Sequence, residues 1–142
     1  MNKILVEVSV GELLDKISIL EIKKEKIKDP KKLKYINDEH AILKGQLDQN
    51  VKSDDKLNNL FQSLKDINAK LWVIEDDKRL CEKNSDFTEN FIKLSRDVHF
   101  LNDDRAKIKL EMNTHTGSKI KEIKEYTSYR KLYFFSKYFI KL

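Results

Sequence analysis

Two trios of residues in this chain have types and spacing suited to chemistry: Trp72, Glu75 and Arg79 in one stretch, and Asn102, Arg105 and Lys109 in another. Within each trio the steps are three and four residues, so each shares one face of a helix. A guanidinium offers a planar fork of donors matched to carboxylates and phosphates, and an ammonium adds a compact charge. Around an anionic metabolite such as a sugar phosphate or nucleotide sugar, Glu75 would be the acid or base. Arg79, Arg105 and Lys109 would neutralise charge, and Asn102 would orient the ligand. A simpler account competes with this one. A buried guanidinium that loses its partner costs about 3–5 kcal/mol, and Glu75 is an obvious internal carboxylate, so the same residues also suit a salt-bridge layer that sets helix register. That simpler account ranks first.

The elements that must position these side chains are long helices. Leu57, Leu60, Leu64, Ile67, Leu71, Ile74, Lys78 and Cys81 recur at alternating three- and four-residue steps, the spacing of a helix packed along its length. Asp86-Phe87-Thr88-Glu89 has the form of a capping box for the next helix. Phe87, Phe91, Leu94 and Val98 mark the inner face of that helix, and the same face continues through Asn102, Arg105 and Lys109 to Met112. Upstream, Ser9-Val10-Gly11-Glu12 reads as another capping box, and Val10, Leu13, Leu14, Ile17, Leu20 and Ile27 follow on a core face flanked by Asp15, Lys16 and Glu21. Asp29-Pro30 separates that helix from one whose inner face is Leu33, Ile36, His40, Leu43 and Leu47. His40 there reads as a hydrogen-bonded core histidine, and Ser53 as a cap for the central helix. Residues 4–8 alternate as a short strand that needs a partner from the tail or from a second copy of the chain.

The expected fold is therefore mainly α: an antiparallel bundle of four to five long helices with a short N-terminal strand. Residues 1–128 read as the bundle domain and 129–142 as an aromatic and basic C-terminal extension. Three glycines and one proline leave few places to break helices, and 39% hydrophobic residues suffice for amphipathic helices rather than disorder. Gly117-Ser118 followed by Lys119 is a secondary anion-site candidate, presenting backbone donors and an ammonium at the start of a last segment. Its spacing is not that of a P-loop.

Several function classes are disfavoured. The net charge of +5 comes from lysines spread among carboxylates, which argues against nucleic-acid binding. A single cysteine, Cys81, precludes an intramolecular disulfide and reads as core. His40, His99 and His115 lack metal-ligand spacing, and neither a metal nor a cofactor is expected. Without a signal peptide or long apolar run, a cytoplasmic location is the default expectation. Tyr126, Tyr129, Tyr133, Phe134, Phe135, Tyr138 and Phe139, interspersed with Arg130, Lys131, Lys137 and Lys141, suit packing onto the bundle or across a dimer. They would also suit an anionic membrane surface.

The runs ILVEVSVGELLDKISILEIK, LWVIEDDKRLCE, FIKLSRDVHFLNDDRAKIKLEMN and GSKIKEIKEY resemble a family of small bacterial and phage proteins classified only as a domain of unknown function. The resemblance covers most of residues 4–126, with Asn102-Asp103, Arg105-Ala106 and Lys109 its most specific part. It implies no activity. Members often lie near glycosyltransferase and surface-polysaccharide genes, which is association rather than mechanism. Three functional expectations follow. The first is a noncatalytic helical interaction or accessory protein, forming a homo-oligomer or binding a protein partner, in surface-carbohydrate synthesis or phage biology. The second is a small enzyme or sensor for an anionic metabolite, and the third is electrostatic membrane or nucleic-acid association through the tail.

Overall fold

The computed structural model describes residues 4–127 and 129. Four helices are formed: α1 (Val10–Lys26), α2 (Pro30–Asn50), α3 (Asp55–Lys83) and α4 (Glu89–His115). Each start has a local cause. Ser9 Oγ accepts from the Glu12 N–H at 3.1 Å, and Asp29 Oδ1 accepts from Lys31 and Lys32 at 2.8 and 3.2 Å with Pro30 at the first helical position. Two expected caps lie elsewhere. Asp54, not Ser53, caps α3 by accepting from the Leu57 N–H at 2.8 Å, and its carboxylate also meets His115 Nε2 at 2.8 Å. Asp86 does not cap α4; it accepts from the Thr88 N–H at 3.1 Å and from the Thr88 hydroxyl at 2.6 Å, and Thr88 takes the cap position with no side-chain bond to the helix N–H groups.

The expected N-terminal strand is absent among the described residues. The chain at 4–8 carries no ladder, and Ile4, Leu5 and Val6 are 87%, 80% and 74% exposed. Residues 119–127 carry no helix and no strand, so among the described residues the backbone of 4–8 has no strand to bond to. No fifth helix follows Lys119 within the described residues.

The five-residue turn between α3 and α4 makes them an antiparallel hairpin. Lys56 pairs with Glu111 at one end, and Asn90 Nδ2 reaches Cys81 Sγ near the other. α1 packs on all three other helices, whereas α2 packs on α1 alone. The core cluster of Leu14, Leu57, Leu64 and Met112 lies where α1, α3 and α4 meet. Lys65 adds a clamp, with Glu21 and Glu25 oxygens each 3.0 Å from its ammonium. Because three helices surround it, α1 is buried on two faces: Leu14 and Ile17 on one, and Gly11, Asp15, Ser18 and Ile22 on the other. His40 packs half-buried, but its Nε2 stands 3.7 Å from Glu21 and makes no hydrogen bond, unlike the bonded core histidine expected.

Candidate functional site

The second buried face of α1 builds the polar site. Asp15, only 2% exposed, sits between α3 and α4. Its Oδ1 accepts from Arg105 Nε at 3.0 Å and from Asn68 Nδ2 at 2.8 Å, while its Oδ2 accepts from Arg105 Nη2. This is the bidentate fork that arginine is suited to make. Asn68 uses its second amide hydrogen on Ser18 Oγ at 2.8 Å, and Ser18 in turn donates to the Asp15 carbonyl at 2.8 Å. Among the described residues no buried side-chain nitrogen or oxygen of this inner layer is left without a partner, as burial requires.

One turn further along α4, Lys109 is buried to 8% side-chain exposure and faces three carboxylates. Glu12 lies at 2.6 Å, Glu122 at 3.3 Å and Asp15 at 3.6 Å from its ammonium. Burial pulls the Lys109 pKa down, but the Glu12 hydrogen bond and the charges of Asp15, Glu12 and Glu122 outweigh it and hold the group above its ordinary value. Glu122 also bonds Lys124 at 2.9 Å, and its own pKa is lowered, first by that bond and then, against burial, by Lys109.

The helices can approach this closely because position 11 lacks a side chain. A Cβ on Gly11 would stand 2.7 Å from the Lys109 carbonyl oxygen, and the Gly11 N–H donates to Asn113 Oδ1 at 2.7 Å. Ser118 Oγ accepts from the Val10 N–H at 3.2 Å, stitching the end of α4 to the start of α1.

Of the residues singled out from sequence, the structure brings Asn102, Arg105 and Lys109 together, with Asn102 Oδ1 accepting from Arg105 Nη1 at 3.4 Å. Glu75 and Arg79 stand apart from them as an i,i+4 pair at 3.6 Å, 43% and 71% exposed, and the carboxylate that meets Arg105 is Asp15 rather than Glu75. Trp72 is half-buried on the same helix. Gly117, Ser118 and Lys119 follow α4 rather than opening a helix. Gly117 takes φ 66°, and the Ser118 N–H bonds the Asn113 carbonyl at 2.9 Å, so the turn spends its donors closing α4. Lys119 is exposed.

Glu12, Asp15, Ser18, Asn68, Glu122 and Lys124 are the site residues that the sequence reading passed over. A signal for Asp15 and Ser18 existed: with Gly11 and Ile22 they recur at helical spacing beside the apolar stripe. Beside Arg105 and Lys109, a cleft of about 270 Å³ opens between α4 and the segment at 118–127, lined also by His99, Asp103, Tyr126 and Tyr129. Tyr129 donates to Asp103 and packs on Phe100 with ring centroids 5.7 Å apart. The remaining tail aromatics from Tyr133 onward, with their lysines, lie outside the described residues. No group of three or more His, Cys, Asp or Glu among the described residues is placed to hold a metal, and no described helix is long and apolar enough to cross a membrane.

Fold and site define a small helical domain in which α1 and α4 are joined by a layer of paired charges. The chain belongs to a family of unknown function, DUF6165, whose model matches residues 4–132. No curated protein and no solved structure matches it.

Proposed function

We propose that this protein is a noncatalytic helical interaction protein that associates with a second copy of itself through the outer part of the α3–α4 hairpin. The observation that carries the reading is apolar surface left in water on that hairpin. Between residues 73 and 98 only Cys81 is buried, while Val73, Leu80 and Ile92 are 48%, 54% and 55% exposed. Val73 and Leu80 are seven residues apart and share a face. Val73 also lines an apolar groove of about 630 Å³ with Ala69, Ile74, Phe100 and Leu101, edged by Lys26, Lys70 and Asp97. A second hairpin laid on this one completes a four-helix arrangement, and a two-fold axis sets the lysine edge of one copy against Asp97 of the other. The polar layer supports a noncatalytic role, since Arg105 and Lys109 are each engaged by carboxylates of α1.

Light scattering coupled to size exclusion tests this. The wild type is expected to run as a dimer at micromolar concentration, and Val73→Glu with Ile92→Glu as a folded monomer with unchanged helical circular dichroism. A wild type that stays monomeric at high micromolar concentration refutes the reading. The anionic-metabolite reading has its own observation in the 270 Å³ cleft beside Arg105. Glu75 is not among the residues lining that cleft, so it loses its place as acid or base there.

A further inference from the structure

We infer that Lys109 and Lys124, which both line the cleft between α4 and the segment at 118–127, form a binding site for a small organic oxyanion, a phosphate or carboxylate, and that Glu122, which lies against the two lysines without lining the cleft, stands in for the anion in the unliganded protein. Three observations converge on this. First, Glu122 bridges two ammonium groups, Lys109 at 3.3 Å and Lys124 at 2.9 Å, as a bound oxyanion would. Second, Glu122 is replaceable. It is 44% exposed, it arrives on a segment without helix, and it lines the adjoining depression of about 350 Å³ with Lys107, Leu110 and Thr127 rather than the cleft itself, which gives its side chain somewhere to go. When it leaves, Lys109 keeps Glu12 at 2.6 Å and Asp15 at 3.6 Å, so no buried charge is stranded.

Third, the one carboxylate that lines the cleft is engaged by a neighbour: Asp103 accepts a hydrogen bond from Tyr129. Lys124, 36% exposed, stands at the mouth with Tyr126 beside it, and its pKa is raised first by Glu122, against burial, with a further contribution from Tyr126. The inner Asp15–Arg105 fork stays intact throughout, so binding needs no rearrangement of the helices. Arg105, Tyr126 and His99 also line the cleft around the Lys109 and Lys124 pair.

Isothermal titration with inorganic phosphate and with citrate tests the inference and separates a phosphoryl from a carboxylate ligand. Glu122→Gln removes the internal competitor and is expected to bind at least one probe roughly tenfold more tightly than the wild type. Adding Lys124→Ala to that variant is expected to abolish the gain. Glu125→Gln makes the same change in net charge on the same segment and is expected to leave the wild-type affinity unaltered. The inference is overturned if Glu122→Gln binds neither probe more tightly. It is equally overturned if Glu125→Gln produces the same gain, or if the gain survives loss of Lys124, either of which would mean an adventitious ion only.

Discussion

Replacing Arg105 by Met keeps most of the side-chain volume and removes the fork that holds Asp15. The carboxylate left behind is 2% exposed, so water cannot replace the two lost charge-assisted bonds. Such bonds are each worth about 1.5–3 kcal/mol, and breaking a buried pair from one side costs about 3–5 kcal/mol. Two features lower that figure here. Asp15 keeps Asn68 at 2.8 Å and Lys109 at 3.6 Å, and the Arg105 side chain is 27% exposed rather than sequestered. The expected loss is therefore about 2–4 kcal/mol, of the same order as for Asp15→Asn. In the double variant neither unmatched charge remains, so its cost falls short of the sum by a coupling energy of about 1.5–3 kcal/mol. Urea unfolding of all four proteins at neutral pH reads this directly, provided the m-values agree. A coupling below about 0.5 kcal/mol lies within the scatter of independent sites, and it would refute the claim that this pair joins α1 to α4.

Two further results follow from the same geometry. Gly11→Ala places a Cβ 2.7 Å from the Lys109 carbonyl and 3.0 Å from Asn113 Oδ1, so α1 must move off α4 at a cost of about 1–3 kcal/mol. Gly45→Ala meets nothing within 4 Å inside α2 and should stabilise by about 0.4–1 kcal/mol, and thermal unfolding of the two should move in opposite directions. The Asp54 pKa lies below 3.8, held there first by the Leu57 N–H and then by His115, so its contribution is present above that value and is lost as pH falls through the folded pKa. Asp54→Asn keeps a capping oxygen but does not titrate. Its stability deficit relative to wild type should shrink on acidification from about pH 5 to about pH 2, and a pH-independent deficit would contradict the assignment.

How much of this was legible in the residues depended on how many neighbours each helix has. α3 showed its inner face openly: Leu57, Leu64 and Cys81 are buried and Leu60, Ile67, Leu71 and Ile74 partly so, because one stripe suffices for a helix packed along its length. The inward polar run of Asn102, Arg105 and Lys109 was legible for the same reason, as a break in an otherwise apolar face. Its partner was not. α1 is wrapped by three helices, and its second buried face consists of Ile22 together with Gly11, Asp15 and Ser18, small or polar residues that an apolar-periodicity reading assigns to solvent. From the sequence, Glu75 is the obvious internal carboxylate for Arg105. The partner came instead from ninety positions away, where only the close approach permitted by Gly11 could bring it. The strand at 4–8 failed for a different reason. Alternation states which face a strand would bury but cannot supply the second backbone it must bond to. The third case, Glu122, carried no periodic signal at all. It sits in an irregular segment whose course is set by Ser118 and the end of α4, so its position between Lys109 and Lys124 follows from tertiary structure alone. The residues that hold this fold together and those that leave room for a ligand are thus neighbours on α4, one turn apart. Arg105 is committed inward by a buried partner, and Lys109 keeps one face toward a carboxylate that can leave.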